Sequence, residues 1–184
     1  MNSAIALING VTPGRRGGRP VVALAGKELT AAVTEALTVG MRFDGDGELV
    51  DDADAARIAD LATKLRAVIE DVDAGRVDDA ARRVNDLLIE TEARPTLARH
   101  DGEPWHLHFH AADAPPPISW VAPMATGLAV MIGNPSIERL GICTAPDCDR
   151  AYVDTSRNGT RRFCSTTCQN RVKTAAFRAR KAAV

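Results

Sequence analysis

The chain has 184 residues, 45% of them apolar, and a formal charge of −1. That is enough to bury the core of one ordinary domain with a small module beside it. No apolar run approaches a membrane span, and neither an internal repeat nor a low-complexity tract is present, so a soluble protein is expected.

The N-terminal run around Ile5, Leu7 and Ile8 is too short for a secretory leader and lacks its basic flank and small-residue cleavage site, so a reducing cytoplasmic setting is the default. The segment from Pro13 to Pro20 is rich in glycine but lacks the Lys-Ser/Thr of a phosphate-binding loop. It reads as a flexible surface loop whose Arg15, Arg16 and Arg19 could assist polyanion binding. Three helices are expected next. Residues 27–40 carry Leu29, Val33 and Leu37 and end at Gly40; residues 54–73 carry Ile58, Leu61, Leu65, Val68 and Val72; residues 77–94 carry Val77, Ala81, Val84 and Leu88. Gly75 separates the last two, which should form an antiparallel pair closed by Pro95.

The period then changes to two. Thr96–His100, a turn at Asp101-Gly102, and Trp105–His110 read as a hairpin with Trp105, Leu107 and Phe109 packed on the helices. His106, His108 and His110 share the other face. Alternate histidines can converge on a metal ion, but that needs a cavity and further ligands, so this face is read as polar and partly exposed. After the stiff Pro115–Pro117 a fourth helix from Ile118 carries Val121, Met124, Leu128 and Met131 toward Gly133.

All four cysteines follow, as Cys143-x4-Cys148-x15-Cys164-x3-Cys168. Two close pairs joined by a loop suit one tetrahedral thiolate zinc site, with two disulfides, which a reducing compartment disfavours, or redox-active thiols as the alternatives. Tyr152-Val153 and Arg161–Phe163 are expected to form a small hairpin around a turn that Asp154 and Ser156 help to shape. Ser165 should cap a helix running to Ala182, with Cys168 in its first turn. Around that helix Cys168, Val172, Ala175, Ala176 and Ala179 form an apolar stripe flanked by Arg171, Lys173, Arg178, Arg180 and Lys181, with Phe177 exposed.

Charge marks the same boundary. From Cys143 onward nine Arg or Lys face three Asp, a formal +6, which leaves residues 1–142 at −7. The expected fold is mainly α: a helical N-terminal domain with a short β-hairpin over 1–138, then a small treble-clef-like zinc finger with a C-terminal helix over 139–184.

The Tyr152-x-Asp-Thr-Ser-Arg-Asn-Gly159 run, Arg161-Arg162-Phe163-Cys164-Ser165 and Cys168-Gln-Asn-Arg-x-Lys173 resemble the CGNR zinc finger. Gln169 stands where that family has its glycine and Phe163 where it often has Trp, while all four ligands are retained. The resemblance implies a preceding ABATE domain, which the helical body resembles more loosely, and a role as a stress-induced transcription regulator. The expected partner is DNA, bound by Arg161, Arg162, Arg171, Lys173, Arg178, Arg180 and Lys181, while the body senses a signal or forms a homodimer. The alternative is a structural finger that docks on protein. No small-molecule substrate is evident, and a closed four-thiol site with no catalytic set elsewhere argues against an enzyme.

Overall fold

The computed structural model describes residues 1–39, 49–99, 102 and 104–182. Its first element was not anticipated. Helix α1 (Asn2–Val11) buries Ala4, Leu7, Ile8 and Val11, the three-and-four spacing of an amphipathic helix. It starts without a side-chain cap or an acidic first turn, so no start signal marks it in the sequence.

Helices α2 (Gly26–Leu37), α3 (Asp52–Asp73) and α4 (Val77–Glu90) follow the expected periodicity. The Gly40 stop lies outside the described residues. Asp51 caps α3 by accepting the Asp54 N–H at 2.7 Å. Helix α4 ends four residues early and rotates its stripe, burying Ala80, Val84 and Leu87 while Val77 is 43% exposed. Gly75, at φ 74°, turns the chain between α3 and α4, and the buried Asp71 carboxylate holds the pair by accepting from Arg76 at 2.9 and 2.7 Å and from Arg83 at 2.7 Å. Hydrogen bonds from Arg76 and then Arg83 keep that carboxyl below the usual carboxylate range.

Helix α5 (Pro116–Ile132) begins two residues before the expected start, with proline in its first turn, and buries Val121, Met124 and Leu128, consistent with proline's fixed φ at that position. Helices α1 to α5 surround one apolar core. No described helix is long and apolar enough to cross a membrane.

The strands form three two-stranded antiparallel ribbons. In the second, β3 (Thr96–Ala98) pairs with β4 (His106–His108), Leu97 opposite Leu107; part of the intervening turn, Asp101 included, lies outside the described residues. Its orientation reverses the expectation for Trp105 and Leu107, which are 65% and 52% exposed, as is Leu97 at 68%, while the histidines are half-buried; Phe109 is half-buried with them. Alternation shows only that two faces differ, and the surroundings decide which turns inward. Here the histidine rings lie against one another, His106 Nε2 at 2.8 Å from His108 Nε2 and His108 Nδ1 at 3.2 Å from His110 Nε2.

The third ribbon also corrects the expected pairing. Strand β6 (Ala151–Val153) pairs with β5 (Leu140–Ile142), which precedes the first cysteine. Residues 161–163 form no strand. Cys143 N–H donates to Arg150 O at 2.9 Å and closes the β5–β6 loop, so the first cysteine pair occupies the tip of this hairpin. A 3-10 turn (Pro135–Arg139) links α5 to β5. Leu140 and Ala151 belong to the main helical core, and Asp73 at the end of α3 accepts the Ile142 N–H at 2.9 Å.

Candidate metal centre

The β5–β6 tip presents Cys143 and Cys148, with Asp147 at φ 54° bending the loop between them. The second pair straddles the start of α6 (Thr166–Ala182). Ser165 Oγ accepts the Cys168 N–H at 3.2 Å, an N-cap that places Cys168 one turn into the helix beside its free N–H groups.

The sulfurs converge. Cys148 lies 3.7 Å from Cys164 and 3.7 Å from Cys168, and Cys164 lies 3.8 Å from Cys168. All four ligand atoms lie within 4.8 Å of one another. A tetrahedral ion with metal–sulfur bonds of about 2.3 Å has sulfur–sulfur edges of about 3.8 Å, whereas disulfide sulfurs would be about 2 Å apart. The four residues are free cysteines, and their spacing is that of metal ligands.

Their protonation agrees with this. Burial pushes the Cys143 and Cys164 thiols up, and the neighbouring Cys143 charge adds to the rise at Cys164. Burial acts in the same direction on Cys148, but backbone N–H groups of Gly17 and Arg150 outweigh it and bring that thiol down to about 7. Four thiolates crowded together require a cation, and a soft divalent ion supplies it.

The loop leading to Cys164 is fixed by its polar side chains. Asp154, only 2% exposed, accepts the N–H groups of Ser156 and Arg161, both at 2.7 Å. A hydrogen bond from the Ser156 side chain first, and then these backbone N–H bonds, hold its carboxyl below the usual range, so the expected turn role is what Asp154 and Ser156 perform. Arg161 donates to Phe163 O at 2.8 Å, Val153 O at 3.3 Å and Cys164 O at 2.5 Å, and its guanidinium lies 5.8 Å from the Tyr152 ring centre. Thr144 donates twice to Arg162 O, at 3.0 Å from both its backbone and its hydroxyl, joining the two cysteine loops.

The glycine-rich N-terminal segment is a β-hairpin rather than a flexible loop: β1 (Gly14–Arg16) pairs with β2 (Arg19–Val21) and docks on the metal knuckle. Besides the Gly17 N–H directed at Cys148, Gly18 N–H donates to Asp147 O at 2.9 Å, Asp149 N–H to Arg15 O at 3.1 Å, and Arg15 N–H to both Asp149 carboxylate oxygens at 3.0 Å. Arg15 also pairs with Asp147 at 3.3 Å, and Arg16 donates to Asn9 O at 2.6 Å. Of the three arginines, Arg19 alone makes no such bond among the described residues.

Gly14 sits at φ 143°, and a Cβ there would lie 2.2 Å from Asp149 Oδ2 and 2.3 Å from Arg150 Nη2. Gly14→Ala is therefore expected to cost roughly 2–4 kcal/mol from overpacking and backbone strain together, and to weaken metal retention against a competing chelator. Gly17, also at positive φ but with nothing within 4 Å of its would-be Cβ, is the control: Gly17→Ala should cost only about 1–2 kcal/mol. Equal losses would show that the close approach at Gly14 is not what matters.

Two residues unremarked in the sequence join the knuckle to α1. Asn9 pairs with Ala151 as an extra strand would, accepting its N–H at 2.9 Å and donating to its carbonyl at 2.8 Å. Arg150, 1% exposed, reaches the last turn of α1. The only sequence signal for them was a charged Asp149-Arg150 pair directly after a ligand.

The proposed nucleic-acid contacts divide into two groups. Arg161 is engaged as described, and Arg171, half-buried, donates to Pro146 O in the first cysteine loop. The side chains of Arg162, Lys173, Arg178, Arg180 and Lys181 are exposed and make no ion pair among the described residues. The apolar stripe expected along α6 is corrected: Cys168 is buried and Val172 half-buried, but Ala175, Ala176 and Ala179 are exposed. Residues 173–182 are exposed, with no described element packed under them. Phe177 is 61% exposed, as expected.

Fold and site together define a mainly helical protein ending in a four-cysteine finger built to hold a metal ion. Residues 139–181 match the family model of the CGNR zinc finger, which covers the four cysteines and most of α6. No curated protein matches the sequence.

Proposed function

We propose that the four cysteines bind zinc and that the zinc-ordered helix α6 binds duplex DNA, the chain acting as a transcription regulator whose N-terminal domain, of ABATE type, senses a signal or dimerises. The observation that carries this reading is the exposure of residues 173–182, which bear Lys173, Arg178, Arg180 and Lys181 and no acidic residue. A helix held at one end by the metal centre and basic over its projecting length can enter a groove and neutralise phosphates. Arg162 extends that surface beside a cleft of about 410 Å3 at the start of α6, also lined by Ser165, Thr166 and Gln169. Arg161 and Arg171 act differently: they shape the finger, so replacing either should lower metal retention as well as DNA binding.

A tetrathiolate ion has no open position for water, which supports a structural metal and a non-enzymatic role. The alternative, a finger that docks on protein, would also use Phe177.

The test is fluorescence anisotropy of the metal-loaded chain on a random-sequence duplex across a salt series. Each phosphate contact contributes a slope of about −0.9 in log affinity against log salt. Replacing Arg178 and Lys181 together by Ala should flatten the slope by about two units, and chelation should abolish binding. An unchanged slope would remove α6 from the interface, and absence of binding at low salt would leave protein docking.

A further inference from the structure

The cleft beside the start of α6 carries chemistry that phosphate neutralisation along the helix does not use. Its volume of about 410 Å3 lies between the turn after β6 and the first turn of α6, within the range of small-molecule sites. The backbone around it is fixed. Arg161 donates to the carbonyls of Phe163 and Cys164, and Thr144 donates twice to that of Arg162. Phe163 packs on the cysteine cluster and also lines the cleft, so its ring is held where a flat group can lie against it.

The polar side chains of the lining fall into two sets. Ser156 is engaged with Asp154, Ser165 Oγ accepts the Cys168 N–H, and Arg161 is spent on carbonyls. Thr160, Arg162, Thr166 and Gln169, by contrast, make no side-chain hydrogen bond or ion pair among the described residues. No Asp or Glu lines the cleft, and the Asp154 carboxylate in the same turn is buried and already accepts two N–H groups. Four unspent polar groups, one of them a permanent cation, therefore meet beside one aromatic ring. Each matches a part of the same ligand. A guanidinium is suited to a phosphate. A carboxamide offers a donor and an acceptor side by side, the pattern that reads the edge of a base. Two hydroxyls suit a sugar, and a phenyl ring gives a base a surface to stack on.

We propose that this cleft binds one nucleoside 5′-monophosphate unit, its phosphate on Arg162, its base against Phe163 and the base edge at Gln169. The unit arrives either as a free nucleotide or as the unpaired end of a strand. The assignment holds whether or not α6 binds duplex DNA.

The test is calorimetric titration of the full metal-loaded chain with three probes: adenosine 5′-monophosphate, adenosine, which lacks the phosphate, and ribose 5-phosphate, which lacks the base. The monophosphate should bind saturably and at least about tenfold tighter than either fragment, because it alone makes the charge-assisted bonds and the base contacts together. Arg162→Ala should remove about tenfold of that affinity and leave adenosine unchanged, while Gln169→Ala should weaken the monophosphate and adenosine but not ribose 5-phosphate. No saturable binding of the monophosphate, or a fragment that binds as tightly as the whole, would overturn the assignment without recourse to any variant. Full affinity in a folded Arg162→Ala chain would do the same. The two sources are then separated by anisotropy on a blunt duplex and on the same duplex carrying one unpaired, 5′-phosphorylated adenosine. Preference for the overhang assigns the cleft to strand ends, and equal affinity assigns it to the free nucleotide. The salt slope on blunt duplex is a separate measurement, so failure here leaves the duplex reading standing, and the reverse.

Discussion

Cys164→Ser is expected to release the metal and unfold residues 143–149 and 154–182 while α1 to α5, β5 and β6 stay folded. The finger's own apolar store is small: Cys143, Ala145 and Cys168 are buried, with Phe163, Val172 and the other two cysteines packed against them. Ordering each residue costs about 1–2 kcal/mol of backbone entropy, and one aromatic ring with a few small side chains cannot offset that over such a length. A structural zinc site contributes about 10–16 kcal/mol of apparent binding free energy, and without it the finger has nothing of comparable size. The strands that carry the finger are supported differently. Leu140 and Ala151 lie in the helical core, and Asp73 and Asn9 bond the backbones of Ile142 and Ala151. The cooperative boundary should therefore fall after Ile142, where the charge changes sign, rather than at the expected 138/139 domain junction. Hydrogen exchange reads this directly: amides of α6 should lose protection in the variant while those of β5, β6 and α3 keep it. Parallel loss of protection in α3 would mean that finger and body unfold as one unit.

How much of this was legible depends on the range of the interactions. Helices α2 to α5 were readable because Leu29, Ile58, Val84, Leu128 and their partners repeat at the helical period, a local property. The cysteine cluster was readable because two close pairs of cysteines joined by a loop are the spacing a tetrahedral thiolate site needs. The docking of the β1–β2 hairpin was not, since Gly14 and Cys148 are far apart in the chain and nothing local in a Gly-Arg segment records a distant carboxylate. The pairing of β5 with β6 was missed for a related reason: Leu140-Gly-Ile142 is too short to show alternation, whereas Arg161–Phe163 adjoins a turn and suggests a returning strand. The orientation of the β3–β4 hairpin depended on hydrogen bonds among three histidines, which hydropathy does not weigh.

Arg150 is where finger and body depend on each other most. All five of its N–H donors are used: Nε to Asp149 Oδ1 at 2.8 Å, Nη1 to Asn9 O at 3.2 Å and Thr12 O at 2.9 Å, Nη2 to Pro13 O at 3.0 Å and Asp149 Oδ1 at 2.5 Å. Three of these acceptors are carbonyls at the C-terminal end of α1, where the helix dipole favours a cation. The fourth, Asp149, also receives the Arg15 N–H and pairs with Arg66 at 3.4 Å. Arg150→Met keeps much of the volume but leaves the carbonyls and the carboxylate without this donor. The expected cost is at least about 2 kcal/mol, since carbonyls buried under the guanidinium are left unsatisfied at about 1–3 kcal/mol each. Metal retention should fall with it, because Asp149 aligns the Gly14–Gly17 segment whose N–H reaches Cys148. Arg150→Lys should recover little, since an ammonium has three donors and no planar fork. Urea denaturation of the metal-loaded variants measures the first effect, and competition with a chelator the second. A loss under about 1 kcal/mol in Arg150→Met would place the site among surface positions and sink the idea that this guanidinium joins the metal knuckle to the first helix. Loss of stability with metal affinity intact would instead confine its role to α1, leaving the hairpin backbone alone to position Cys148.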